Sequence, residues 1–204
     1  EAGAYELEKI NPEGVWEVRL PAGFLAHGMH YRLRMHWDGG EGDRIPAYAR
    51  RVVQDSNSLI FNAQVWSPTD PHEWKHPDFV PGPGPLFVYE AHVGMAQEET
   101  KIGTYREFAE HVLPRIVDAG YNALQLMGIQ EHPYYASFGY HVSSFFAASS
   151  RFGSPEDLKM LIDRAHSSGL SVIMDLVHSH AVANEVEGLS RFDGTLYQYF
   201  HEGA

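Results

Sequence analysis

The sequence contains no cysteine. That excludes a disulfide framework and any thiolate metal site, and it fits a reducing compartment. Cationic charge is scarce as well: 15 Lys and Arg stand against 27 Asp and Glu, a formal net charge of −12 at pH 7. Such a balance disfavours nucleic acid or an anionic membrane as partner. It says nothing against a neutral polymer. No apolar run approaches the roughly 20 residues needed to cross a bilayer. The opening Glu1-Ala2-Gly3-Ala4-Tyr5 lacks the pattern of a signal peptide and reads as a chain entered partway through a domain. Internal repeats and low-complexity tracts are also missing. What remains is a chain of 204 residues, 44% hydrophobic and 21% charged, the balance of a globular protein with a real core.

Residues 1–66 read as strands. Val15 to Leu20 alternates, with Trp16, Val18 and Leu20 on one face. His30 to Trp37 does so more cleanly: Tyr31, Leu33, Met35 and Trp37 face one way, Arg32, Arg34 and His36 the other. Phe61, Ala63 and Val65 repeat the pattern. A period of two means half-buried antiparallel strands. Several of them without an intervening helix predict a β-sandwich. Residues 67–85 carry Pro68, Pro71, Pro77, Pro81, Pro83 and Pro85. Proline lacks the donor that a strand or helix interior needs, so this stretch is an extended connector.

From Leu86 the grammar changes. Leu86 to Tyr89 is a short apolar run, read as a buried strand. Thr104 to Glu107 is a capping box, followed at helical spacing by Phe108, Val112, Ile116 and Ala119 and closed by Gly120. Pro114 inside that pattern should kink or split the helix. A strand over 123–127 follows. After a long loop, Ser154-Pro155-Glu156-Asp157 supplies an N-cap, a first-turn proline and an acidic first turn. Leu158, Leu161, Ile162 and Ala165 form the stripe of that helix, and Gly169 ends it. Val172-Ile173-Met174 is a third strand, closed by Asp175. The order β-α-β-α-β predicts a parallel sheet with right-handed crossovers, whose chemistry gathers at the C-terminal strand ends.

Those ends are Glu90-Ala91-His92, residues 128–140, and Asp175 to His180. Asp175 reads either as a site acid or as a plain loop cap with surface histidines beyond it. His178 and His180 would share a face if the strand continued, as zinc ligands do, but no third ligand has convincing spacing. The loop from Glu131 to His141 is dense in rings. Aromatic faces stack on the C–H faces of sugars, although large rings also pack cores, and both readings stand. Gly139 lets the backbone turn so that Tyr140 projects into a cleft.

At these residues a family resemblance enters. Tyr89-Glu90-Ala91-His92-Val93-Gly94 resembles the first barrel strand of α-1,4-glucan branching enzymes of glycoside hydrolase family 13. Tyr121 to Met127, Glu131-His132 and Tyr134 to Tyr140 resemble their second strand and its loop. Asp175 to His180 is similar to the family's first conserved region, usually Asp-x-Val-x-Asn-His. Residues 188–195, with Tyr199-Phe200-His201, resemble the segment that follows it. The early strands, with Asp43-Arg44-Ile45-Pro46-Ala47, resemble the tail of a family 48 carbohydrate-binding module. Phe138 stands where many relatives have Trp, and Ser179 where most have Asn. Both departures are similar to those of the eukaryotic-type branching branch.

The resemblance implies a fold in three parts: a partial β-sandwich glucan-binding module over 1–66, a connector over 67–85, and the first three βα units of a (β/α)8 barrel over 86–204. It also implies roles. The Tyr140 match would stack on the sugar before the cleavage point. The Asp175 match is a supporting carboxylate, and the His180 match would hydrogen-bond that sugar's hydroxyls. Glu131, His132 and His141 are further candidates for the cleft, with His92 behind them. The implied partner is an α-glucan such as glycogen, amylose or amylopectin, with no cofactor and no metal. Relatives make storage glucans in the cytoplasm, which is the location expected.

The family's mechanism is retaining: an Asp attacks the anomeric carbon, and a Glu protonates the leaving oxygen and later activates the acceptor. Those residues follow the fourth and fifth strands in the family. A (β/α)8 barrel takes about 250 residues, whereas 119 run from Leu86 to Ala204. Nucleophile and acid are therefore expected downstream, and this chain alone is expected to be inactive. Two other readings remain at this point. One is a hydrolytic relative, a debranching enzyme or amylase. The other is a stand-alone glucan-binding scaffold.

Overall fold

A computed structural model describes residues 5–196 and 198–200. His201, the last residue of the resembling segment, lies outside them, as do the first four residues.

The first part consists of short antiparallel ladders. β1 (Glu8–Lys9) pairs with β2 (Trp16–Glu17). β3 (His30–Tyr31) leads into β4 (Leu33–Trp37), which pairs with β5 (Gly40–Arg44). β6 (Val52–Gln54) and β3 flank β7 (Phe61–Gln64). The strand expected over 15–20 shrinks to two residues, and Trp16 is exposed. Its alternation has no packed layer to face, and one short partner strand does not bury an indole. The buried residues of this part, Ile45, Ala49, Val52, Phe61 and Ala63, pack together with Ala147 of the second part. Their core therefore closes on the α/β region as well as on itself.

The second part follows the expected order. β8 (Val88–Ala91), β9 (Ala123–Leu126) and β12 (Ser171–Met174) are parallel, in the order β12-β9-β8. Between β9 and β12 a hairpin forms from β10 (Gln130–Glu131) and β11 (Ser144–Ala148), with a register shift between Gln130 and Glu131. The first crossover starts at a true capping box: Thr104 Oγ1 accepts from Glu107 N at 3.2 Å, and the Glu107 carboxylate accepts from Thr104 N at 3.0 Å. α1 (Tyr105–Glu107) runs into a π-helical turn (Phe108–Val112) and then α2 (Leu113–Asp118). Pro114 sits in the first turn of α2, just past the π-helical turn. The break absorbs the missing donor, as its position in the sequence requires. α3 (Pro155–Ser167) opens on a second capping box, Ser154 with Asp157.

Ala91, Leu124, Leu126 and Val172 turn one face of the sheet to these helices, where Phe108, Ile116, Leu158, Leu161 and Ala165 lie. Burial of such side chains contributes about 1.5–3 kcal/mol each. The apolar start of β8 behaves otherwise. Leu86, Phe87, Val88 and Tyr89 remain partly exposed, because β8 has one neighbour among the described residues, β9. A buried parallel strand needs two.

The proline-rich connector has no regular structure between β7 and β8. It is nevertheless fastened. The Asp163 carboxylate of α3 accepts the backbone N–H groups of Lys75 (3.0 Å) and His76 (2.9 Å), and His72 Nε2 lies 3.3 Å from it. Phe79 stacks on His166 of the same helix. Among the described residues, no helix is long and apolar enough to cross a membrane.

Candidate functional site

Strand register builds the site. Glu90 of β8 lies opposite Gln125 of β9, and Gln125 lies opposite Ile173 of β12. That row occupies the sheet face turned away from the helices. Gln125 Nε2 donates to Glu90 Oε1 at 2.8 Å. Asp175 is two residues beyond Ile173, so it returns to the same face one pleat further along. Its N–H still pairs with Leu126 O at 3.1 Å. The side chain is thus aimed from the end of the sheet, where a parallel α/β fold places its ligands.

The long loop after β9 delivers Tyr140 to this point. It makes a 3-10 turn (Tyr135–Ser137), then passes through left-handed Phe138 (φ +56°) and Gly139 (φ +86°). The Tyr140 hydroxyl donates to Asp175 Oδ2 at 3.1 Å. Burial raises the Tyr140 pKa, and the carboxylates of Asp175 and Glu90 raise it further. The phenol therefore keeps its proton and stays a donor at neutral pH. The partly buried ring offers aromatic surface beside the carboxylate, whose remaining oxygens accept hydroxyl donors. This is the chemistry that holds a neutral sugar.

The loop after β12 is fixed to the hairpin. Val177 N donates to Gln130 Oε1 at 2.9 Å. The His178 ring stacks on Phe145 with centroids 5.5 Å apart and planes 7° from parallel. Val182 N donates to Val142 O at 2.9 Å. His180 follows in the same loop and is exposed.

Two of the residues expected in the cleft lie elsewhere. Glu131 and His132 have no accessible surface. Glu131 Oε2 accepts from Ser150 N at 2.6 Å, and its other oxygen lies 3.3 Å from the His132 N–H. Burial pushes its pKa up to about 7, against the pull of the Ser150 N–H and the charge of Arg151. His132 donates from Nδ1 to Gln130 O at 2.9 Å, and burial lowers its pKa, so the ring is neutral. The shift of register at the head of the hairpin breaks the alternation and turns consecutive side chains inward. Both residues hold the hairpin together and are out of reach of a ligand. His141 is exposed beside Tyr134, with ring centroids 6.4 Å apart. His92 is buried among Tyr135, Phe138 and Phe152. Sequence reasoning missed Gln125 and Gln130 and named Glu90 only as part of a strand end. The signal for Glu90 and Gln125 was a polar side chain inside each of two apolar strands. Among the described residues, no group of three or more His, Asp or Glu is arranged to hold a metal.

A parallel sheet with a polar cluster at its C-terminal edge is the arrangement of α/β enzyme folds. Residues 94–193 match the family described as alpha amylase, catalytic domain. Over most of its length the chain is similar to 1,4-alpha-glucan-branching enzymes. It is 50% identical to that of Rhizophagus irregularis over 196 residues, 93% of this chain and 29% of the relative. It is also 50% identical to the branching enzyme 2-2 of Arabidopsis thaliana, a chloroplastic/amyloplastic protein, over 95% of this chain and 25% of the relative. The chain spans less than a third of the length of the curated relatives it matches. Among solved structures, the pullulanase from Bacillus acidopullulyticus superposes with a TM-score of 0.68 over 95% of this chain and 27% of that one, at 20% identity. An alpha amylase from Salmonella typhimurium gives 0.61 over 78% of this chain and 26% of that one, at 25% identity.

Proposed function

We propose that this chain is part of a 1,4-alpha-glucan branching enzyme. That enzyme cleaves an α-1,4 glucan and passes the segment to a glucan 6-hydroxyl, making an α-1,6 branch. The observation that carries the reading is the Tyr140–Asp175 pair at the end of the parallel sheet, in a chain half identical to branching enzymes along nearly all its length. Residues 1–66 are the end of a glucan-binding β-sandwich of the family 48 type, 67–85 the connector, and 86–204 the first three βα units of a (β/α)8 barrel. The exposed flank of β8 supports a barrel that further strands complete.

In this reading Tyr140 supplies the stacking platform for the sugar before the cleavage point. Asp175 holds both the Tyr140 hydroxyl and the sugar, and His180 reaches the same sugar's hydroxyls. Glu90 and Gln125 line the floor beneath. The nucleophilic Asp and the acid/base Glu of the retaining reaction come from later strands. Residues 1–204 alone are therefore inactive. The substrate is an α-glucan of the glycogen, amylose or amylopectin kind.

The test is to incubate the complete gene product with amylose and follow α-1,6 linkages by proton NMR, with reducing ends in parallel. New α-1,6 signals without a matching rise in reducing ends support branching. Reducing ends alone would make the protein a hydrolase of the same family. Binding with neither change would make it a glucan-binding scaffold.

A further inference from the structure

Gln130 is buried at the head of the β10–β11 hairpin. Its amide is used at both ends. Oε1 accepts the Val177 N–H at 2.9 Å, and Nε2 donates to Phe145 O at 3.0 Å. Val177 belongs to the loop after β12 and Phe145 to β11, so one side chain joins three segments that are far apart in sequence. A backbone N–H demands an acceptor and a backbone carbonyl demands a donor, so only one orientation of the amide satisfies both.

The joint lies two residues from Asp175. The Asp175 N–H is held by Leu126 O on the strand side, and Gln130 grips the chain on the other side. Asp175 thus stands between two backbone anchors while its carboxylate takes the Tyr140 hydroxyl. Past the joint, His178 stacks on Phe145, the residue whose carbonyl Gln130 holds. Release of Gln130 would leave Val177 N–H without an acceptor and loosen the Asp175–His180 loop next to Asp175, where the His178–Phe145 stack and the Val182–Val142 hydrogen bond hold it only further on.

We propose that Gln130 is a positioning residue for the sugar subsite: it sets the register between the loop bearing Asp175 and His180 and the hairpin bearing Tyr140. The inference rests on the reading of that subsite given above. It assigns no chemistry to Gln130 itself, which touches no substrate.

The experiment uses the complete gene product on amylose. Gln130→Leu keeps the volume and removes both hydrogen bonds. A shift of the subsite by about 1 Å costs up to roughly 100-fold in turnover. We expect kcat to fall about 10- to 100-fold, with KM changing much less. Gln130→Glu separates positioning from packing. A protonated carboxyl reproduces both bonds, by accepting from Val177 and donating to Phe145 O, whereas the ionised form cannot donate. The titratable groups around it are Glu131 on its own strand, His132 just past it, and Asp175 and His178 on the facing loop; β11 has none. The ratio of Gln130→Glu to wild-type activity should be near one at acid pH and fall as pH rises. That ratio also serves if Gln130→Leu does not fold. A Gln130→Leu protein with kcat within about twofold of wild type, or a flat ratio for Gln130→Glu, would overturn the proposal. Asp175→Ala and Tyr140→Ala run alongside. If both keep full activity, the subsite reading itself is wrong and the Gln130 inference falls with it. If both lose activity, the Gln130 variants decide.

Discussion

Gly139 lies against the carbonyl of Gly128 so closely that a β-carbon on it would overlap the oxygen. Both residues have positive φ, +86° and +36°. This backbone-to-backbone contact brings the loop that carries Tyr140 back onto the end of β9. A side chain is excluded twice over, by space and by conformation. Gly139→Ala should destabilise the protein by at least 1–2 kcal/mol, roughly the left-handed penalty alone, and displace Tyr140. Thermal unfolding and glucan turnover of the complete gene product check it together: a stable, fully active variant would mean that the loop is not held by this contact.

Tyr140→Ala removes the ring and Tyr140→Phe only its hydroxyl. The hydroxyl is a partly exposed donor to Asp175, so its loss should cost about 1 kcal/mol of stability or less. With the proposed stacking role, turnover of the complete gene product should fall strongly for Ala and mildly for Phe, since only Ala removes the ring face. Equal losses in the two variants would assign the role to the hydroxyl instead.

In the complete gene product, Asp175→Ala should abolish activity and leave the fold in place. A mere cap would cost about 0.5–2 kcal/mol and leave turnover intact. Unfolding curves read beside kcat separate the two.

Glu131 makes stability depend on pH in the direction opposite to an ordinary carboxylate. Its folded pKa is raised to about 7 from an ordinary 4.5. Between those values the folded state binds a proton that the unfolded state does not. Its contribution is therefore present in full below about pH 4.5 and lost as pH rises through 7. The swing is on the order of 3 kcal/mol. The midpoint of thermal unfolding, measured from pH 5 to 8, should decline in the wild type and decline less in Glu131→Gln. A decline of the same size in both would place the titration elsewhere.

Asp163→Ala strips the connector of the acceptor for two backbone N–H groups and of its two histidine neighbours. These hydrogen bonds are part-buried and made to a charged acceptor, so their loss should cost about 1.5–3 kcal/mol. Protease cleavage near 72–80 should speed up, while turnover on glucan changes little. Unaltered cleavage would show that Phe79 on His166 suffices to hold the strap.

Local order was legible in the sequence. The capping box at Thr104, the N-cap at Ser154, the stripe of α3, the break at Pro114 and the βαβαβ order all follow from interactions within about four residues, which a linear sequence displays. So does the pleat that brings Asp175 back to the face of Ile173. The tertiary structure decided what those elements meet. The strand expected over 15–20 found no layer to cover it, and the apolar start of β8 found one neighbour strand. A register shift turned Glu131 and His132 inward although the sequence offered them as cleft residues. Tyr140 and Asp175, 35 residues apart, and Gln130 and Val177, 47 apart, are joined by the way loops return over the sheet. Periodicity records which face a residue takes. It does not record what stands opposite, since burial and pairing depend on contacts distant in the chain.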